Sequence, residues 1–331
     1  MGASGYDQAA VAVNGTATGC ERGVGEVSDC RMSTSSSGSR DSSPQIVPLH
    51  ARHERRFAES RFVYPVLSRR SRGISVGINL NPDKVCNFDC VYCQVDRRIP
   101  GETRFVGLPD LLRELEWTLR LATSGELYEV PKFAAVPERL RRLNDLAFSG
   151  DGEPTTHRNF DEVVAACAAV KRRLGLSDVK MVLITNASMF QRPHVGRALE
   201  LLDQNQGEVW AKLEAGTDEY FRLIDRTPIR LDQIVRNITQ AARARPLVIQ
   251  SMFLRYEGKP PSAEELEAYC GRLNEIQRDG GRLSEVQVYT VARQPAEPTV
   301  SPLADAEVDA IAALVRERTR IPASVFHGTN G

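Results

Sequence analysis

From residue 73 onward the chain alternates short apolar runs with longer stretches of helical period. Apolar runs of four to eight residues bounded by turn residues read as strands, and apolar positions recurring every three or four residues read as amphipathic helices. The pattern predicts strands over 74–80, 145–149, 179–185, 209–213, 247–253 and 286–291. It predicts helices over 108–122, 159–174, 194–202, 218–224, 231–242, 263–278 and 305–318. Strand–helix repetition of this kind calls for parallel strands in βαβ units. Six units are two short of a closed eight-stranded barrel. The expected fold class is therefore α/β, a partial (β/α)6 barrel over 73–331 with a closing C-terminal helix. Residues 1–45 are rich in Gly, Ser, Ala and Thr and read as a disordered tail. Residues 46–72 read as a basic extension, with Arg52, Arg55, Arg56, Arg61, Arg69, Arg70 and Arg72 against Glu54 and Glu59. Packing of that extension onto the core is the plainer reading, and a polyanion contact the sharper one.

Strand parity assigns faces. Ser75, Gly77 and Asn79 oppose Ile74, Val76, Ile78 and Leu80. Lys212 and Glu214 oppose Ala211 and Leu213, and Gln287 and Tyr289 oppose Val286 and Val288. The apolar faces are expected against helices and the polar faces toward a polar barrel interior. Ligands of parallel α/β folds bind at the carboxyl ends of strands. Those ends carry a cysteine-rich loop, Ser149–Thr155, Thr185–Ser188, Lys212–Glu214, Arg255, and Thr290 with Arg293. Lys212 and Glu214 are candidate catalytic groups, with a mutual structural ion pair as the alternative.

Charge narrows the partners. Lys+Arg and Asp+Glu number 43 each, so a large nucleic-acid footprint is not expected. No apolar run approaches a membrane span of about 20 residues. No signal peptide is evident, and seven cysteines without one suit a reducing cytoplasm.

Three of those cysteines form the run Cys86-Asn87-Phe88-Asp89-Cys90-Val91-Tyr92-Cys93, a C-x3-C-x2-C spacing. Three thiolates this close can hold three corners of an iron–sulfur cube, leaving the fourth iron open. A zinc site would need a second ligand pair, and the nearest downstream His is His157. A thioredoxin-like pair would leave Cys86 unexplained. Cys20 and Cys30 lie in the tail and read as incidental thiols.

The cysteine spacing, with Tyr92 just before the third cysteine, resembles the radical S-adenosylmethionine (radical SAM) superfamily. The segment Gly150-Asp151-Gly152-Glu153-Pro154 resembles that family's glycine–glutamate motif, with Asp151 in place of a middle glycine. The resemblance implies a [4Fe–4S] cluster on Cys86, Cys90 and Cys93 with S-adenosyl-L-methionine on its open iron. It implies reductive cleavage to a 5′-deoxyadenosyl radical, hydrogen abstraction from a substrate, and an electron donor such as flavodoxin or ferredoxin. It also implies cofactor contacts from Tyr92 to adenine, from Gly150, Gly152 and Glu153 to the methionyl ammonium, and from Asn186 and Ser188 to the ribose. Within the superfamily, Lys212–Gly216, Arg226-Thr227-Pro228, Ile249–Phe253 and Val286–Val291 look most like the wyosine-synthase-related group. That group rebuilds a tRNA guanine with a second cluster on three upstream cysteines, whereas only Cys20 and Cys30 lie upstream here. A tRNA substrate is therefore the secondary reading. An electron-transfer or sensing protein without radical chemistry, and an activator of glycyl-radical proteins, are further alternatives.

Overall fold

The structure, a computed structural model, describes residues 57–328 apart from 102, 104 and 294. The expected tail over 1–45, Cys20 and Cys30 within it, and Arg52, Arg55 and Arg56 lie outside the described residues.

The strands are β1 (Val63–Ser68), β2 (Gly73–Ile78), β3 (Leu143–Phe148), β4 (Lys180–Thr185) and β5 (Gly207–Lys212), then β6 (Leu247–Met252), β7 (Leu254–Tyr256), β8 (Leu283–Tyr289), β9 (Val300–Pro302) and β10 (Ala323–Phe326). The α-helices are α1 (Leu108–Ser124), α2 (Pro131–Ala134), α3 (Phe160–Arg173), α4 (Pro193–Asp203), α5 (Asp218–Asp225), α6 (Leu231–Ala244), α7 (Ala263–Arg278) and α8 (Asp305–Thr319). One sheet holds eight strands in the order β1-β2-β3-β4-β5-β6-β8-β10 and curls into a half barrel, while β7 and β9 form a separate antiparallel pair. The six expected strands are β2 to β6 and β8, all parallel, with bounds within about three residues of the sequence pattern.

Two edge strands were not anticipated. Antiparallel β1 pairs with β2, and β10 extends the parallel run from β8. β1 sits among arginines and carries Pro65, which lacks a ladder donor and is tolerated at a sheet edge. Part of the basic extension is thus built into the sheet. Its turn leans toward the opposite edge, where Arg69 Nη1 donates to the His327 carbonyl.

Alternation along each strand divides two environments. Outward Val76, Ile78, Leu146, Leu183, Ala211, Ile249 and Val288 pack with α1, α3, α4, α6, α7 and α8 in the main core. Inward residues include Ser75, Asp145, Lys212, Gln250 and Gln287, as parity predicts. The interior is not uniformly polar, however. Ala147, Val182, Trp210 and Val248 form an apolar cluster of their own, with Ile184 against it. Gly77 admits the Tyr64 ring into this interior, since a Cβ there would lie 2.3 Å from that ring. No helix among the described residues is long and apolar enough to cross a membrane.

The entry to β1 depends on one side chain of α1. Glu114 accepts from the backbone N–H of Arg61 (3.1 Å), Phe62 (2.8 Å) and Val63 (3.2 Å). Glu114→Ala leaves these amides to solvent or unpaired. It is expected to destabilise the protein by about 1–3 kcal/mol, the cost of orphaned, partly buried donors, measured by chemical denaturation. A change within a few tenths of a kcal/mol would show that β1 holds its place through apolar packing alone.

Candidate active site

The loop from 79 to 107 carries the three cysteines and contains no helix or strand among its described residues. Its backbone therefore needs partners elsewhere. Asp89 N–H and Val91 N–H donate to the carbonyls of Asp225 (3.2 Å) and Ile224 (2.9 Å) at the end of α5. Cys93 N–H closes a turn on the Cys90 carbonyl at 2.9 Å. Thr227 Oγ1 donates to the Asn87 carbonyl at 3.1 Å.

Side chains stitch the same loop to the ends of β3 and β4. Asn79 Oδ1 accepts from the Asp151 N–H (3.1 Å), and Asn79 Nδ2 donates to Asp151 Oδ2 (2.6 Å). This contact explains Gly150 and Gly152. A Cβ on Gly150 would lie 2.2 Å from Asn79 Oδ1, and one on Gly152 2.2 Å from the Val85 carbonyl. Only glycine lets the two loops approach so closely.

Glu153 is buried, and its carboxylate is engaged by the protein. Oε1 accepts from Thr155 N–H (3.2 Å), Thr155 Oγ1 (2.5 Å) and Thr185 Oγ1 (2.6 Å), and Oε2 from Asn186 N–H (2.7 Å). Burial raises its pKa, while these donors pull it back. The side chain therefore organises the strand ends. Asn186 and Ser188 join a related network: Asn186 Nδ2 donates to Asn87 Oδ1 (2.9 Å), Asn87 Nδ2 to Ser188 Oγ (2.7 Å), and Ser188 Oγ to Asn186 Oδ1 (2.6 Å). Asn186 lines the central cavity; Ser188 stands behind it, holding the cysteine loop.

That cavity measures about 270 Å³ and is lined by all three cysteines, the Ser149–Glu153 segment, Tyr92, Lys212, Glu214 and Asp225. Lys212 and Glu214 share the inner face, but no ion pair within 4.0 Å joins them; the Lys212 ammonium instead stands 5.2 Å from the centre of the Tyr92 ring. Tyr92 donates to Glu214 Oε1 at 2.9 Å. Asp225, which nothing in the sequence pattern marked, is buried at the end of α5. Its Oδ1 accepts from Cys90 Sγ (3.3 Å) and Tyr92 Oη (3.4 Å), and its Oδ2 has no hydrogen-bond partner among the described residues.

Burial pushes both Asp225 and Glu214 above the ordinary carboxylate range, and for Glu214 the neighbouring Asp225 adds to it. Burial alone would lower Lys212, but Tyr289, Glu214, Cys90 and Cys93 together outweigh it and keep the ammonium charged. Pairs of titratable groups with displaced pKa values are characteristic of sites that hold and move protons.

Arg97 was also missed by sequence reasoning, since one arginine in an irregular loop has no pattern. Its Nη1 donates to Cys93 Sγ at 2.9 Å, its Nε to the Lys84 carbonyl at 3.1 Å and its Nη2 to the Asp151 carbonyl at 3.3 Å. Of the rim residues, Thr290 and Arg293 line the cavity and Arg255 does not. Arg255 pairs with Glu307 at 2.6 Å, and Thr290 accepts the Leu303 N–H at 2.9 Å.

This donor set suits an iron–sulfur cluster. Thiolates are the ligands such clusters take, and an N–H donor on a sulfur favours its anionic form. Burial raises the pKa of Cys86 and Cys90, while Lys212 acts in the opposite sense on both and Arg97 on Cys86. Among the described residues no three His, Cys, Asp or Glu side chains gather as the ligands of one metal ion. The thiols are instead spread around one cavity.

Comparison with known proteins identifies the superfamily. The model of the Radical SAM superfamily matches residues 80–259, more than half of the chain. The chain is 31% identical over 182 residues to a UPF0026 protein of Methanocaldococcus jannaschii, covering 53% of this chain and 47% of that one. It is 24% identical over 233 residues to a UPF0026 protein of Helicobacter pylori strain 26695, covering 69% and 65%. It is 23% identical over 250 residues to a protein of Brachyspira hyodysenteriae named GTPase Obg, covering 74% and 32%. The chain thus spans between about a third and two thirds of these relatives' lengths. Among solved structures it is similar to Streptococcus suis SuiB bound to S-adenosylmethionine, with TM-score 0.48 and 13% identity, covering 78% of this chain and 49% of that one. It is also similar to TYW1 with a lysine-pyruvate adduct bound, with TM-score 0.42 and 13% identity, covering 75% and 74%. With a half barrel presenting three cysteines at its mouth and a family model matched across that mouth, the chain belongs to the radical SAM superfamily.

Proposed function

We propose that this protein is a radical SAM enzyme that abstracts hydrogen from a small substrate held in the half-barrel interior. One observation carries this reading: the three thiols, the glycine loop anchored by Glu153, and the buried Tyr92–Glu214–Asp225 set with Lys212 all line one cavity. Cys86, Cys90 and Cys93 would hold a [4Fe–4S] cluster. When bound, the cluster supplies the electron that cleaves S-adenosylmethionine to a 5′-deoxyadenosyl radical.

The chain's own residues have separable roles. The carbonyls of the Gly150–Gly152 segment are the acceptors for the methionyl ammonium, because the Glu153 carboxylate already serves four internal donors. Tyr92 and Asn186 line the cavity where adenine and ribose would lie. Glu214 and Asp225 form a buried set with Tyr92 in which burial disfavours their charged forms, and the apolar wall from Ala147 to Val248 excludes water. An external one-electron donor of the flavodoxin or ferredoxin class is the implied partner.

Anaerobically reconstituted protein is expected to bind about four irons and, once reduced, to form 5′-deoxyadenosine from S-adenosylmethionine. Cys90→Ser should lose both, because a serine oxygen is a poor ligand for the iron. A fully loaded cluster with no 5′-deoxyadenosine would instead support the electron-transfer reading.

Glu153→Ala tests positioning against direct contact. It strands two buried amides, at about 1–3 kcal/mol each, so stability in urea should fall by about 2–6 kcal/mol. Unchanged stability with weakened S-adenosylmethionine binding would return the carboxylate to the cofactor.

Arg97→Leu removes a charged donor from Cys93. Hydrogen bonds to cluster sulfurs and nearby positive charge raise reduction potential. The midpoint in an EPR-monitored titration should move negative by on the order of 59 mV, one decade for one electron. A positive shift would contradict the role assigned to Arg97.

A further inference from the structure

The β1–β2 turn carries two consecutive arginines with different surroundings. Arg69 is turned to the His327 carbonyl. Arg70 enters the central cavity, its guanidinium carbon 4.9 Å from the centre of the Tyr289 ring and 5.9 Å from that of Trp210. Among the described residues no carboxylate forms an ion pair with it. An Arg70 N–H reaches the Tyr289 hydroxyl, and the other N–H donors of the guanidinium keep the planar fork that matches a carboxylate.

The surroundings are polarised. Glu214 and Asp225 gather with Tyr92 beside Cys90. Lys212 faces this group, its ammonium 5.2 Å from the centre of the Tyr92 ring, and acts together with Arg70 on the buried Tyr289 hydroxyl. Lys212 forms no hydrogen bond or ion pair with any described residue. Gln250 and Gln287, joined by a 2.8 Å hydrogen bond, wall the same interior. Arg70 and Tyr289 both lie outside the segment 80–259 matched by the superfamily model.

We propose that the substrate is a small organic acid whose carboxylate is held by Arg70 beside Tyr289, with Trp210 against its apolar part. This rests on the function proposed above. One planar fork suits one carboxylate, and the two carboxyl groups elsewhere in the cavity disfavour a dianion such as phosphate.

The test uses the full-length, cluster-loaded protein with propionate, its neutral analogue propionamide and inorganic phosphate as probes. Tryptophan fluorescence and thermal shift are the readouts. The chain has two tryptophans, and Trp117 is an exposed one, so a Trp210→Phe control assigns the signal. Propionate should bind saturably, and propionamide should not. Arg70→Gln should weaken propionate about tenfold or more, the loss of a charge-assisted contact, and Arg70→Lys should recover part of it. Equal binding by Arg70→Gln, saturation by propionamide, preference for phosphate, or no saturation by propionate would each overturn the proposal. So would an equal loss of S-adenosylmethionine affinity, which would assign Arg70 to the cofactor's own carboxylate. Formation of 5′-deoxyadenosine by the same preparation of the parent protein reports separately on the radical SAM reading. Its absence beside intact propionate binding would remove that reading and leave the anion site standing.

Discussion

The buried carboxylate of Glu153 is the constraint on which the rest of the site depends. The cysteine loop has no regular hydrogen-bond ladder, so tertiary contacts must satisfy its backbone and fix its course. Glu153 fixes the glycine loop to the end of β4 through Thr185 and Asn186, while Thr155 supplies its other two donors. From Asn186 the network continues to Asn87, inside the cysteine loop itself. From the other side Asn79 grips Asp151. Three irregular segments are thereby locked into one geometry before any ligand arrives. Preorganisation of this kind lowers the ordering cost that a ligand would otherwise bear. It also explains why burial of a carboxylate is tolerated here, since one accepting four hydrogen bonds keeps much of the stabilisation that water would give.

The half barrel supplies what this network cannot, an interior with distinct ends. Its apolar cluster around Trp210 and Val248 lies on the inner face of β3 to β6, where a closed barrel would pack side chains in layers. The sheet stays open, so that space is left as a cavity between the cysteine loop and the β1–β2 turn. Low effective dielectric in such a space magnifies each charge. The acids beside Cys90 and the cations Lys212 and Arg70 therefore all act strongly on whatever occupies it.

How much of this was available from the sequence follows from the range of each interaction. The six parallel strands, their helices and the inward parity of Ser75, Lys212, Glu214 and Gln287 are recorded in local periodicity, because a strand or helix facing a core must repeat its apolar residues at the period of its own geometry. The three cysteines and the two close-packed glycines are likewise local, since their spacing along the chain is itself the chemical signal. β1 and β10 escaped because edge strands are short and weakly patterned, and Pro65 argues against a strand unless its edge position is known.

The roles of individual side chains were decided elsewhere. The glycine–glutamate motif drew notice to Glu153, but that its carboxylate would be occupied from within depends on Thr185 and Asn186, more than thirty positions away. Asp225 and Arg97 reach the cysteines from the end of a helix and from an irregular loop, and neither position leaves a periodic trace. Arg70 read as one charge in a basic stretch until the β1–β2 turn carried it between Trp210 and Tyr289. The sequence by itself determined the superfamily, the order of the six central strands with their helices, and the spacing of the three cysteines, all of which depend on residues close together along the chain. Only the tertiary structure decided which charges face the cavity and which are already partnered, because hydrogen bonds and burial are properties of neighbours in space.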